Sequence, residues 1–151
     1  MVDESELKYW RDAGHVARRT LEAMKLELEP GKSFHEIIES AERFIHRHGG
    51  KPAFPGTIAT NDLAAHFTTN HLIEEVEEWQ GNMILEKGDL VKIDYGVHIK
   101  GHIGDNALSF EIGNGNNHTE QIKAAKEARD AAIEVMHPGT PWYKVGAAAA
   151  Q

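Results

Sequence analysis

The sequence predicts an α+β domain in which helices cover one face of an antiparallel sheet. Three observations lead there. Two stretches near the start carry apolar residues at spacings of three and four. Two stretches in the middle, 90–95 and 103–112, alternate apolar and polar residues at period two. A third helical pattern and the start of a fourth follow them, so helices flank a strand pair instead of alternating with single strands.

The first helix is expected over about Glu4 to Leu28, with Leu7, Trp10, Ala13, Gly14, Ala17, Leu21, Met24 and Leu28 on one side. Glu29-Pro30-Gly31 ends it. Ser33 reads as the next N-cap, with Glu36 as its capping-box partner. That helix runs from Phe34 to about His48, buries Ile37, Ile38, Ala41, Phe44 and Ile45, and stops at Gly49-Gly50. Prolines at 52 and 55 and Gly56 make the following segment irregular. Ile58 to Thr60 reads as a short strand and Asn61-Asp62 as a turn. Residues 71–88 are acidic, with Glu74, Glu75, Glu77 and Glu78 clustered, and Glu86 to Asp89 form a turn into the next strand. Strands are predicted at Leu90 to Tyr95 and Ile103 to Ile112. After a loop, Thr119 caps a helix to about Met136, which His137-Pro138-Gly139-Thr140-Pro141 breaks. Trp142 to Gln151 begins as a fourth helix and shows no terminating signal.

Composition narrows the chemistry. The 151 residues suffice for one domain with a core, at 40% hydrophobic and 26% charged content. A formal net charge of −8 argues against general nucleic-acid binding. There is no cysteine, so disulfides and thiol nucleophiles are excluded, while ten histidines keep imidazole chemistry open. The first residues do not read as a secretory signal, and no window approaches a membrane span. The motifs HExxH, GxGxxG, the Walker loop and GxSxG are missing.

The informative stretch is LVKIDYGVHIKGHIGDNALSF, Leu90 to Phe110. It reads as a hairpin with Asp94 and Asp105 inside it. A turn centred on Ile99-Lys100 places the two acids directly opposite each other, with Cβ atoms about 4.5–5.5 Å apart. Carboxylates so close either share a proton or are neutralised by a cation. A dinuclear metal site is one reading; solvated acids, or an ion pair with Lys92, are the others. His66, in NDLAAHFTTN, is a candidate for work at a metal-bound water or a carbonyl. His98 and His102 either add ligands or flank the turn.

At these residues a resemblance enters. FPGTIATNDLAAHFTTN followed by GDLVKIDYGVHIKGHIGDNALSF resembles the N-terminal half of a methionine aminopeptidase, closest to the type II enzymes and their archaeal members. The resemblance runs over essentially the whole chain, residues 1–151. It implies the pita-bread fold, two pseudo-symmetric halves around a dimetal site, of which this would be one half. It implies that Asp94 is a terminal metal ligand, that Asp105 bridges two metals, and that His66 contacts substrate. It also implies that Phe54, twelve residues before His66, lines the methionine pocket. The cofactor implied is a pair of divalent ions: manganese, cobalt, iron or zinc.

Two departures stand out: Thr69 where proline is usual, and Asn106 where threonine or cysteine is common. The family's remaining ligands, a histidine and two glutamates, are not found in this chain. The chain is therefore expected to be a truncated, inactive piece with weak or no metal binding, needing its C-terminal half or self-associating. The implied partners are peptides with N-terminal methionine, including nascent chains at the ribosome, in the cytoplasm, with no membrane or nucleic-acid partner. The alternatives are a non-catalytic binding module of the same fold and a proline dipeptidase-like enzyme.

Overall fold

The computed structural model describes residues 3–69, 83–113 and 115–151. The acidic run at Glu74–Glu78 lies outside the described residues. The chain divides into two compact units, Met1–Gly115 and Asn116–Gln151.

In the first unit α1 spans Glu4–Lys25 and α2 spans Phe34–Arg47. Asp3 caps α1 by accepting the Ser5 N–H at 2.9 Å, with Glu4 and Glu6 in the first turn where the helix dipole favours anions. The predicted capping box at α2 is present: Ser33 Oγ accepts the Glu36 N–H and Glu36 accepts the Ser33 N–H. The buried stripe of α1 is Ala13, Val16, Ala17, Thr20, Leu21 and Met24. Trp10, expected inside, is 44% exposed. Thr20, polar by type, is buried in this stripe because its hydroxyl is satisfied locally, donating to the Val16 carbonyl at 2.9 Å.

The sheet has four antiparallel strands: β1 (Lys51–Pro52), β2 (Thr57–Thr60), β3 (Leu90–Ile99) and β4 (His102–Glu111). β3 is central, with β1 and β2 end to end along one edge and β4 on the other. β3 runs four residues beyond its predicted end. The glycine at 96 hid the continuation, although Val97 and Ile99 keep the alternation. Val91, Ile93, Tyr95 and Val97 are buried. Val91, Ile93 and Tyr95 pack with Leu21, Met24, Phe34, Ile37, Ile38 and Ala41 of the two helices, and Val97 with Val16, Ala17 and Ile45. Each such large side chain contributes about 1.5–3 kcal/mol of burial.

The β3–β4 register corrects the sequence expectation. The turn is Lys100-Gly101, not Ile99-Lys100, and Ile99 pairs with His102. Lys100 and Gly101 have φ of 51° and 85°, the two left-handed residues of a type I′ turn. Ile99, β-branched, resists that conformation, whereas Gly101 adopts it freely. Asp94 therefore faces Ala107, and Asp105 faces Gly96. The acids are diagonal neighbours on one face instead of a directly opposed pair.

The second unit contains α3 (Thr119–Val135) and α4 (Trp142–Ala149), which pack against each other. Thr119 is the first residue of α3 and not its cap. His118 holds the cap position and makes no side-chain cap bond there. Gly139, at φ 90°, turns the chain between the helices.

α1 crosses β4 where two glycines meet. A Cβ on Gly104 would lie 2.4 Å from the Gly14 nitrogen and 2.5 Å from its Cα. These are backbone atoms and cannot swing aside. Gly104→Ala is expected to destabilise the fold by about 2 kcal/mol or more. Urea unfolding measures it; a loss below about 0.5 kcal/mol would contradict this packing.

Candidate active site

Alternation on β3 sends Tyr95 and Val97 to the helices and Asp94 and Gly96 to the other face. Asp105 lies opposite Gly96, so it shares that face. Diagonal residues sit about 7–8 Å apart at the backbone, within reach of two carboxylates that lean together. Asp94 is half-buried and Asp105 exposed.

The pair is electrostatically loaded. Burial pushes the Asp94 carboxyl above the ordinary aspartate range, and Asp105, by its charge and by hydrogen bonding, pushes it further. His66 acts in the opposite direction. Asp94 Oδ1 is buried and has no hydrogen-bond partner among the described residues. An orphaned carboxylate oxygen beside a second acid fits a divalent cation, which would neutralise both and supply the missing partner. Among the described residues, no group of three or more His, Asp or Glu side chains is close enough together to hold a metal ion.

Around the acids lies an open cleft of about 430 Å³, lined by Phe54, Pro55, Thr57, His66, Thr68, Asp94 and Asp105. Of the residues singled out from the sequence, Phe54, His66, Asp94 and Asp105 line it together. Phe54 reaches the site because its ring lies over Gly96. A Cβ there would stand 2.2 Å from the ring edge. His66 follows β2 in a left-handed backbone conformation, φ 62°, which histidine tolerates better than most side chains.

Sequence reasoning missed Pro55, Thr57 and Thr68. Thr57 pairs directly with Asp94 across the sheet. Thr68 Oγ1 donates to the Gly56 carbonyl at 2.7 Å, tying the His66 loop to the Phe54 wall. The signal for Thr68 was its place two residues after His66; the signal for Thr57 required the β2–β3 register.

The remaining candidates fall elsewhere. Lys92 Nζ donates to the Asn61 carbonyl at 2.6 Å and does not line the cleft. His98 Nδ1 accepts the Gly101 N–H at 3.4 Å, beside the turn. His102 packs against Tyr9 and Trp10 of α1, with ring centroids 5.3 and 5.2 Å away. Both histidines thus flank the turn instead of joining the acids. Thr69 is buried, its hydroxyl 3.4 Å from His35 Nδ1, and Asn106 pairs with Tyr95 on the helix side. Neither departure removes a group that lines the cleft.

The raised Asp94 pKa has a stability consequence in metal-free protein. Above about pH 4 an unfolded aspartate has lost its proton while native Asp94 keeps its own, so the native state binds more protons. Stability attributable to Asp94 therefore falls as pH rises through that window. Asp94→Asn is expected to raise Tm at pH 7, and the gain should vanish below pH 4. Melting curves in chelator across pH check this; a Tm gain independent of pH would contradict it.

Comparison with known proteins agrees with this geometry. The model of Metallopeptidase family M24 matches residues 8–151. The methionine aminopeptidase of Thermococcus onnurineus is 36% identical over 137 residues, 90% of this chain and 43% of that protein. That of Pyrococcus horikoshii is 37% identical over 138 residues, 91% of this chain and 43% of that one. The chain thus spans about 43% of the length of these curated relatives. Among solved structures, the methionine aminopeptidase of Rickettsia prowazekii matches with TM-score 0.85 at 24% identity, covering 99% of this chain and 59% of that one. The prolidase of Pyrococcus furiosus matches with TM-score 0.81 at 25% identity, covering 97% and 42%. These likenesses show the pita-bread fold, with its antiparallel sheet covered by helices. The family match takes in both strands of the acid pair and the whole cleft, and the chain belongs to metallopeptidase family M24.

Proposed function

We propose that these residues form the N-terminal half of a methionine aminopeptidase that removes methionine from the N-terminus of peptides and new proteins. The observation that carries this is the juxtaposition of the acid pair, Asp94 and Asp105, with the apolar wall of Phe54 and Pro55 in one cleft. Asp94 and Asp105 would hold divalent metal. Two carboxylates suit manganese, cobalt, iron or zinc, and further donors would have to come from outside the described residues. A divalent ion held there would supply Lewis-acid chemistry, lowering the pKa of a water and polarising the scissile carbonyl.

The chain's own groups do the rest. Phe54 and Pro55 offer an apolar, aromatic-edged slot that suits the unbranched thioether of methionine. His66, exposed in the cleft lining, donates a hydrogen bond to the reacting amide as charge develops on it. Thr57 and Thr68 add hydroxyls for the peptide backbone at the cleft wall.

The substrates in this reading are peptides and nascent chains with N-terminal methionine, met in the cytoplasm. Among the described residues no helix is long and apolar enough to cross a membrane. A prolidase shares the fold at nearly the same TM-score, so the fold does not choose between the two peptidases. The archaeal methionine aminopeptidases at 36–37% identity favour the first.

The test is methionine release from Met-Ala-Ser by the full-length protein with added manganese or cobalt. Asp105→Asn is expected to lower kcat by about 10³-fold or more. Cleavage of Ala-Pro but not of Met-Ala-Ser would move the protein to the prolidases. Turnover indifferent to Asp105→Asn would overturn the reading. His66→Ala should lower kcat by about 10²-fold with little change in KM, since its bond strengthens as the reaction proceeds. Steady-state kinetics would show the split; a loss confined to KM would contradict that role.

A further inference from the structure

The wall of the cleft is built on a local mismatch in the sheet. Pro52 pairs with Val97, and Thr57 pairs with Asp94. Between those pairs β3 has two residues, Tyr95 and Gly96, and the opposing chain has four, Ala53 to Gly56. The surplus must bulge. Its first residue is pinned by the Ala53 N–H donating to the Gly96 carbonyl at 2.9 Å. Its last is pinned by Thr68 Oγ1 on the Gly56 carbonyl.

An aromatic ring closes on the bulge from each side of the sheet. On the cleft side Phe54 lies over Gly96. On the helix side Tyr95 lies against Gly56, where a Cβ would meet ring carbons at 2.2 and 2.7 Å. Each strand thus presents an aromatic to the other strand's glycine. The two rings are not equally free. Tyr95 is 1% exposed and belongs to the main core with Phe34, Ile37 and Ile93. Phe54 is only partly buried. In close packing the buried ring is the fixed reference and the bulge rests on it.

We propose that Tyr95 is a positioning residue for the cleft, setting the height of the Phe54–Pro55 wall through its contact with Gly56. The ring carries this role. The hydroxyl is buried with no hydrogen-bond partner among the described residues, so it contributes no fixing bond. A smaller side chain at 95 lets the bulge settle toward the helices and widens the slot. The consequence for substrates rests on the peptidase reading above: a wider slot discriminates less against branched or larger first residues.

The test separates the two claims. The chain is labelled with 4-fluorophenylalanine, and the Phe54 resonance is assigned by its loss in Phe54→Leu. Tyr95→Leu and Gly56→Ala should each shift that resonance, and Tyr95→Phe should leave it in place. In Tyr95→Leu/Gly56→Ala the new methyl fills the vacated space. The resonance then returns toward its original position, and the Tm loss is smaller than the sum of the single losses. An unmoved resonance in the folded single variants, or additive Tm losses, overturns the proposal. Should Tyr95→Leu fail to fold, rescue of folding by added Gly56→Ala supports it and failure of rescue overturns it.

On the full-length protein, Tyr95→Leu should narrow the preference for Met-Ala-Ser over Leu-Ala-Ser, read as the ratio of kcat/KM values, by about tenfold. An unchanged preference with a displaced Phe54 overturns the specificity claim. Absence of methionine release from the unaltered protein refutes the methionine aminopeptidase reading, and the resonance then judges the positioning by itself.

Discussion

The two-residue turn at Lys100-Gly101 fixes the partner and the face of every side chain on the β3–β4 ribbon. Its type I′ geometry needs two left-handed residues in succession, and among the described residues only Lys100-Gly101 supplies them. With Ile99 opposite His102, Asp94 and Asp105 fall on one face as diagonal neighbours. One more residue in the turn would pair Asp105 with Tyr95 and carry it to the helix side. The acid pair, the cleft and the proposed metal chemistry all depend on this count.

The sheet's two faces answer different demands. One is closed by α1 and α2 and holds the apolar core. The other keeps room above it because Gly96 has no side chain, and Phe54 takes that space. The aromatic wall therefore stands beside the acids by default of volume. Asp94 is itself partly stripped of water on this face, which raises the cost of leaving it charged and unpaired. A cation held between the acids would answer that cost.

Local signals were legible in the sequence, and pairing was not. The capping box at Ser33 and Glu36 held to the residue, because both halves of it lie within one turn. The first helix was found with its start correct and its end three residues too far, since Leu26 and Leu28 extend the apolar spacing beyond the last hydrogen-bonded turn. β1 is two residues long and starts beside a proline, so it leaves no periodic trace. The strand pair was recognised, yet its register was placed by symmetry around Ile99-Lys100 instead of by the backbone demand for Gly101. Among site residues, the acids and His66 were found by their chemistry, and Phe54 by resemblance. Thr57 was not found, because its place opposite Asp94 follows from a long-range pairing. The reciprocal fit of Phe54 on Gly96 and Tyr95 on Gly56 likewise exists only once β3 meets the irregular segment.

The central claim is that Asp94 and Asp105 together form a cation site. The most direct measurement is a manganese titration followed by amide NMR, reading the paramagnetic broadening residue by residue. The account predicts broadening centred on Asp94, Gly96 and Asp105, weakened throughout by Asp94→Asn. Broadening centred instead on exposed acids such as Glu4 and Glu6, with the β3–β4 signals untouched, would contradict it.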